Sequence, residues 1–309
     1  MKRGVWVFLV KRLAWTIPVL WAVATLTFLL IRLVPGGPFD RDKTFPPAIR
    51  ANIETRYGLD LPWWKQYFRY MGMIATGDLG PSLKYRSRRV NDIIVDTFPV
   101  SAKLGVLAFL FTLVVGIGAG TWAGLKPGGA ADKGGMFVAT LGISTPSFVL
   151  ATVLIIVFAV HLGWFPPALW EGASSAALPA IALGFGPAAY IARLVRSSVM
   201  EVSNAPHVVA ARARGLPRWR LVTKCILAGA LPPVVTVLGP LLAALITGSF
   251  VIEFIFAIPG MGKYFITAVT DRDYPMIMGV TIMYSALVVF ANVVVDLLYT
   301  ALDPRVEVQ

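Results

Sequence analysis

Apolar residues in this chain occur in long runs, and short polar stretches separate the runs. A helix needs about 20 predominantly apolar residues to cross the ~30 Å hydrocarbon core of a bilayer. The pattern predicts six membrane-spanning helices, at residues 13–31, 101–124, 136–160, 178–195, 234–252 and 276–301. The predicted fold class is therefore an all-α polytopic membrane protein with six transmembrane helices.

Composition and charge agree with a membrane location. Of the 309 residues, 57% are hydrophobic and 14% are charged, whereas a soluble domain carries about 25% charged residues. The net charge of +12 does not indicate nucleic-acid binding, because no soluble basic domain is present to form such a surface. The basic residues lie mainly in the polar stretches, and the positive-inside rule then predicts that both termini are cytoplasmic.

The polar stretches divide the chain into four parts. Residues 1–35 are predicted to hold an N-terminal transmembrane helix, and residues 36–98 form the one long segment outside the bilayer. A loop of this length crosses the membrane largely regardless of its charge, so we expect it on the extracytoplasmic side. Residues 99–302 are predicted to form a transmembrane domain of five helices with a cytoplasmic loop at 197–233, and residues 303–309 a cytoplasmic tail.

Small residues recur at every fourth position in two of the predicted spans. They are Gly116, Gly120 and Gly124 in the second span, and Gly184 with neighbouring alanines in the fourth. Such spacing lets two helix backbones approach closely in lipid, so we predict that these faces pack helix against helix. Gly186-Pro187 marks a candidate break in the fourth span.

The most polar long stretch in the second half, residues 200–233, predicts short helices in a loop. Pro206 suits the first position of a helix, where its missing N–H costs nothing, and Ser203 and Asn204 precede it as candidate caps. Gly215 tolerates the left-handed conformation that ends many helices. The resulting slim helix of about two turns would fit a groove on a partner protein. From these residues alone, a basic loop that only sets membrane orientation explains the pattern equally well.

The same stretch carries a family motif. Its residues are Pro206, Val209, Ala210, Ala211, Arg212, Ala213, Arg214, Gly215 and Leu216, with Leu231-Pro232 downstream. This pattern resembles the cytoplasmic loop of the membrane subunits of binding-protein-dependent ABC importers, in their dipeptide/oligopeptide/nickel branch. Val209 stands where the general family has Glu. The resemblance implies that the loop around 206–217 contacts an ATPase subunit.

Other stretches resemble the same branch. They are Gly-Asp-Leu-Gly-Pro-Ser at 77–82, the Glu-x-x-Phe-x-x-Pro-Gly-x-Gly pattern from residue 253, Arg-Asp-Tyr-Pro from residue 272 and Asp-Pro-Arg at 303–305. The resemblance implies an extracytoplasmic gate or contacts with a binding protein. The residues implied are Asp78, Glu253, Phe256, Pro259, Gly260, Gly262, Asp273 and Tyr274.

The chain shows no constellation of catalytic residues. No predicted span carries a charged residue near its middle, and neither histidine stands beside an acid in a recognisable motif. Gly262-Lys263 lacks the other residues of a phosphate-binding loop. We therefore expect no enzyme activity, no metal site and no cofactor in this chain. An autonomous ion-coupled carrier or channel is the alternative function, although such carriers usually hold ionisable groups in mid-membrane. A scaffold that transports nothing is a third possibility.

Taken as a whole, the resemblance implies a type I ABC importer transmembrane fold and a permease subunit that forms half of the translocation pathway. It further implies a bacterial inner-membrane location, a second homologous permease subunit, two ATPase subunits and an extracytoplasmic solute-binding protein, with membrane lipid around the spans. ATP and Mg would bind to the partner ATPase subunits. The solute implied is a di- or oligopeptide, while nickel and other small solutes stay open.

Overall fold

The structure, a computed structural model, describes residues 2–37, 55, 57–85 and 87–302. The predicted tail at 303–309, with its closing motif, lies outside the described residues. The helices in chain order are α1 Lys2–Leu33, α2 Trp63–Ala75, α3 Val90–Leu125, α4 Ala130–Ser144, α5 Ser147–Leu154, α6 Ala173–Ser203, α7 Pro206–Ala213, α8 Arg218–Arg220, α9 Leu227–Ala230, α10 Pro232–Thr247, α11 Phe250–Ile255, α12 Met261–Asp271 and α13 Tyr274–Leu302. Two π-helical segments, Ile155–His161 and Leu221–Ile226, continue α5 and α8.

The expected all-α polytopic fold class is confirmed. Five helical stretches of the described chain are long and apolar enough to cross a membrane, and a bent pair of helices brings the number up to six. The five are Ala14–Leu33, Val90–Leu125, Ala173–Ser203, Pro232–Ile255 and Tyr274–Val294. The second begins at Val90, well before the predicted residue 101. Its helix, α3, has 36 residues and, at 1.5 Å per residue, is longer than a bilayer core is thick.

The third predicted span is not one straight helix. Residues Asp132–Ser144 and Ser147–His161 are bent by 110° against each other. The break falls at Thr145, whose ψ of 122° is extended, and at Pro146. Proline disfavours the helical conformation of the residue before it, and it has no N–H to continue the hydrogen-bond ladder.

The fourth predicted span, by contrast, is unbroken. Helix α6 runs through both Pro179 and Pro187, so the expectation of a break at Gly186-Pro187 was wrong. A proline inside a helix removes one backbone hydrogen bond, and its ring crowds the carbonyl group four residues earlier. Transmembrane helices tolerate such prolines because neighbouring helices and small local adjustments satisfy the freed backbone groups.

The described helices group into two compact units. The first contains α1, α2, α3 up to Pro99, α12 and α13 up to Phe290; the second contains the chain from Val100 to Pro259 and the end of α13. In the first unit, side chains of α3, α12 and α13 form one buried cluster, and side chains of α1, α2 and α13 form another. In the second unit, α6 contributes to both buried clusters.

Helices α3 and α6 of the second unit touch backbone to backbone at three glycines of α3. A Cβ added to Gly116, Gly120 or Gly124 would lie 2.8 Å from Ile191, 2.5 Å from the Ala192 oxygen and 2.8 Å from Val199, respectively. The contact continues along α3 at Ala108, whose carbonyl oxygen would lie 2.6 Å from a Cβ on Gly184. Residue numbers rise together along both helices, so the pair is parallel.

We expect Gly120→Ala to lower the stability of the protein, because the new methyl group would meet backbone and neither helix can yield locally; such overpacking costs about 1–3 kcal/mol. The matched control is Gly118→Ala on the same helix, where an added Cβ meets nothing within 4 Å. Alanine should be neutral or slightly stabilising there. Thermal unfolding in detergent measures both variants, and equal melting temperatures would contradict the close approach.

Candidate functional site

The start of the short helix α7 differs from the expected capping. Pro206 occupies its first turn as predicted, but the residue at the cap position is Ala205, with no side-chain cap bond. Asn204 donates its side-chain amide to the Met200 carbonyl oxygen at 3.0 Å. Ser203 is the last residue of α6, and its buried hydroxyl has no hydrogen-bond partner among the described residues. The two predicted caps therefore belong to the end of α6.

The end of α7 is a complete Schellman motif. Gly215 has φ +77°, a conformation that glycine adopts without strain. Its N–H donates to the Arg212 oxygen at 3.0 Å, and the Leu216 N–H donates to the Ala211 oxygen at 3.3 Å. These two bonds satisfy carbonyl groups that a helix end otherwise leaves unpaired. Gly215 thereby sets the direction in which the chain leaves α7.

Helix α7 has one face towards its own chain and one face towards solvent. Val208 is 0% exposed and Ala211 is 5% exposed, which is the i, i+3 spacing of a single helical face. Val209 is 51% exposed, and Ala210 and Ala213 are also exposed. The alanines thus have two functions: Ala211 packs inward, while the other two keep the outer face slim.

The inner face of α7 rests on the second buried cluster of its unit. Val208 and Ala211 pack there with Val195 and Val199 of α6 and with Leu221 of the π-helical segment. Val208 was not singled out from the sequence, although the spacing of Val208 and Ala211 could have indicated it. The cluster connects α7 with α6, and the glycine contacts connect α6 with α3.

Basic side chains surround α7. The exposed ones on α7 and the stretch after it are Arg212, Arg214, Arg218, Arg220 and Lys224. Arg196 of α6 differs, because its guanidinium contacts both carboxylate oxygens of Asp132 at 2.5 and 2.8 Å. The same carboxylate accepts a bond from the Gly128 N–H at 2.8 Å. This bidentate pair ties the turn between α3 and α4 to α6 and was missed, since Asp132 appeared from the sequence to be an ordinary loop charge.

Glu253, expected in an extracytoplasmic loop, lies instead inside α11 and is 0% exposed. The Ser249 hydroxyl donates to its carboxylate at 2.5 Å. Phe256 is also buried, in the first cluster of the second unit, and its carbonyl oxygen accepts a bond from the Leu169 N–H at 2.8 Å. Only Pro259 of this group is exposed. Glu253 and Phe256 therefore act first as parts of the core.

Asp273 lies at the centre of a clamp in the first unit. It is 1% exposed and accepts hydrogen bonds from the Ser82 hydroxyl, from the Lys84 N–H at 3.2 Å and from the Met276 N–H at 3.3 Å. The last bond caps α13. The carboxylate thus joins the stretch around Ser82 to the start of α13 and does not face a surface where a partner could bind.

Neighbours of Asp273 fasten the end of α1 to the same place. Arg272 donates to the Gly37 oxygen at 3.3 Å, and the Tyr274 hydroxyl donates to the Gly36 oxygen at 3.2 Å. The Arg-Asp-Tyr-Pro motif therefore connects three parts of the first unit, and its role in a gate or a binding-protein contact stays a prediction.

The other residues of the first unit that the motifs assign to a gate or a binding-protein contact also make contacts within their own unit or lie at the start of a helix. Asp78 pairs with Arg89 and accepts a bond from the Gly80 N–H at 3.0 Å. Gly260 precedes α12, and Gly262 is buried in its first turn.

Burial raises the pKa of the Tyr70 phenol, helped by the carboxylates of Asp78 and Asp273, so this hydroxyl stays neutral. No group of metal-binding side chains occurs in the part of the chain that the structure describes.

Five or six candidate spans and close helix packing define a polytopic membrane protein. Residues 116–308 match the family model described as "Binding-protein-dependent transport system inner membrane component", and the chain belongs to this family. It is a permease subunit of a binding-protein-dependent ABC importer, as the motifs predicted.

Relatives and solved structures agree with that family. The chain is 42% identical to the oligopeptide transport system permease protein of Haemophilus influenzae, over 97% of this chain and 98% of the relative. It is 45% identical to the dipeptide transport system permease protein of Bacillus subtilis, over 97% of both chains. An inward-facing structure of the MetNI methionine ABC transporter has a TM-score of 0.55 at 21% identity, covering 68% of this chain and 96% of its own. The predicted type I importer fold is confirmed.

We expect Asp273→Ala to destabilise the first unit strongly, because it leaves the Lys84 and Met276 N–H groups without their acceptor; losing a charged acceptor of buried donors costs about 3 kcal/mol. The control is Asp271→Ala, two residues away, whose carboxylate pairs with half-exposed Lys84 at 3.2 Å; this substitution should cost under about 1 kcal/mol. Hydrogen exchange of residues 78–90 reports the difference. Similar protection in the two variants would contradict the clamp.

Proposed function

We propose that an ATPase subunit binds the outer face of α7 and drives the spans through this helix. The single observation that carries the proposal is the division of α7 into two faces. Val208 and Ala211 anchor it to its own chain, while the outer face is slim, apolar at Val209 and bordered by arginines. A helix that only set membrane orientation would not need a buried anchor or a Schellman end.

The orientation follows from the charges. The turn between α3 and α4 and the stretch around α7 carry most of the basic residues outside the first unit, whereas residues 162–172 contain no Lys or Arg. The positive-inside rule places the first two stretches in the cytoplasm and residues 162–172 outside. This arrangement puts α7 where ATP is available and both termini in the cytoplasm.

In the proposed mechanism, the energy for transport comes from outside this chain. ATP and Mg bind between two ATPase subunits, and one of them moves α7. Since α7, α6 and α3 are packed together, the displacement reaches the spans, and this chain with a second homologous permease subunit changes between inward-open and outward-open states. Nucleotide and solute are coupled because both bias the same equilibrium. An extracytoplasmic binding protein delivers the solute.

Di- and oligopeptides are the proposed solute. The observation that supports them is the full-length similarity, above 40% identity, to permeases named for dipeptides and oligopeptides. Nickel or another small solute is the competing proposal within the same branch.

We expect Gly215→Val to abolish uptake and to reduce the amount of ATPase subunit that co-purifies, because valine at φ +77° strains the turn after α7 by about 1–2 kcal/mol and redirects it. Membrane insertion should be unchanged. Gly163→Val is the matched control, since Gly163 also has a positive φ of +64° with nothing within 4 Å of an added Cβ but lies far from α7 in sequence. Wild-type uptake in the Gly215 variant would count heavily against the coupling role.

We expect cells that depend on this system to import labelled di- and tripeptides and to lose that uptake when the chain is removed. Mass spectrometry of ligand held by the co-purified binding protein identifies the solute independently. Peptide masses support the proposal. If the binding protein carries nickel and peptide uptake is unchanged when the chain is removed, the solute is nickel and not a peptide. The coupling proposal would then be unaffected.

A further inference from the structure

A cavity of about 300 Å³ lies at the end of α3, lined by Trp122, Leu125, Lys126 and Arg218. Its size is at the lower limit of small-molecule pockets. Two of its four lining side chains are cationic, and the other two are apolar or amphipathic. All four belong to the second unit.

The two cations of this cavity are available to a ligand. Among the described residues, no carboxylate pairs with Lys126 or Arg218, and both side chains are exposed. The Lys126 ammonium lies 5.8 Å from the centre of the Trp122 ring, which holds it beside the cavity. The one carboxylate on the adjoining turn, Asp132, is already bound by Arg196. The site therefore has an uncompensated positive charge.

An open apolar strip leads along α3 to this cavity. Val115, Gly118 and Trp122 follow one another at helical spacing; Val115 is 39% and Trp122 63% exposed. A Cβ on Gly118 would meet nothing within 4 Å, so the strip has a shallow depression at its middle. It extends about 10 Å at 1.5 Å per residue, which suits the upper part of an acyl chain.

We propose that this cavity binds the headgroup of an anionic phospholipid, with one acyl chain along the strip. Lys126 and Arg218 contact the phosphodiester. Trp122 lies at the level of the lipid headgroups, where its amphipathic ring is favoured. Basic pockets beside transmembrane helices are suited to anionic headgroups. The inference goes beyond the proposed coupling function, and it requires only that the chain is embedded in a membrane.

The location gives such a lipid a route to the coupling helix. Arg218 begins α8, directly after the Gly215 turn that ends α7. Lys126 follows the end of α3, whose last glycine contacts α6. A bound headgroup would therefore join α3 to the segment that follows α7, and it would hold the two cations that otherwise repel each other.

The test uses the complex that co-purifies with the tagged full chain and measures lipid binding by titration in native mass spectrometry. The probes are phosphatidylglycerol and phosphatidylcholine with identical acyl chains. We expect the double variant Lys126→Gln/Arg218→Gln to bind phosphatidylglycerol about thirtyfold more weakly, since each cation near an anionic surface strengthens binding about fivefold. Phosphatidylcholine binding should not change.

The matched control is Lys103→Gln on the same helix. Lys103 is exposed and lies 5.9 Å from the ring of Trp170, so it resembles Lys126 but does not line this cavity. This variant should bind phosphatidylglycerol like the wild type. The exchanged pair Lys126→Arg/Arg218→Lys should also retain binding, which separates charge from folding.

Three outcomes would overturn the proposal. Equal loss of binding in the Lys103 variant would mean that charge anywhere on the surface suffices. Competition by millimolar glycerol phosphate would mean that the site takes free phosphate esters. Unchanged lipid binding with loss of the ATPase subunit would assign the cavity to the ATPase contact. Failure of the Gly215 experiment, by contrast, would leave the lipid result unaffected.

Discussion

The close contact between α3 and α6 is the constraint on which the second unit depends. Three glycines of α3 bring its backbone within reach of the α6 backbone, and a single added methyl at Gly120 would lie 2.5 Å from a carbonyl oxygen. Apolar side chains gain little free energy by moving from lipid to a helix interface, so the association of helices in a membrane depends on how closely their surfaces fit. Because the glycines carry no side chains, α3 lies directly against the backbone and the β-branched side chains of α6, which leaves little room for sliding or rotation.

The contact between α3 and α6 lies next to α7. Helix α6 continues to Ser203, and only two residues separate it from Pro206. Val195 and Val199, which lie beside the glycine contact, also form the surface on which Val208 packs. The same turn of α6 thus touches α3 on one side and α7 on another. A force on α7 reaches α3 through side chains that are already in contact.

The sequence predicted much of this arrangement, but not its partners. Glycines at every fourth position indicated a packing face, yet spacing cannot say which helix packs there. The apolar runs located the spans but did not predict that α3 begins at Val90 or that the third span bends by 110° at Pro146. Hydropathy reports the solvent that a residue prefers, and it does not report the direction of the backbone. Pro187 was misjudged because packing by neighbouring helices can support a helix around a proline, and the local sequence does not show that packing.

Polar residues were harder to interpret than apolar ones. Asp273 and Glu253 were expected at a surface, but both are buried. A motif shows that a residue type is required and does not show whether it binds a partner or satisfies its own backbone. Asp273 does the latter, since two of its three bonds come from main-chain N–H groups. The pairing of Arg196 with Asp132 spans 64 positions and has no local signal.

If α7 is the coupling helix, as proposed, its two faces favour mechanical rather than chemical coupling. A helix of eight residues has little stability alone, so its conformation depends on the anchor at Val208 and on the bonds around Gly215. With those ends fixed, a partner that displaced the outer face would also displace the side chains of α6 on which Val208 packs. A residue that titrates or binds a ligand is not needed on α7. Its exposed alanines are consistent with this, because they leave room for a partner surface and offer no chemistry of their own.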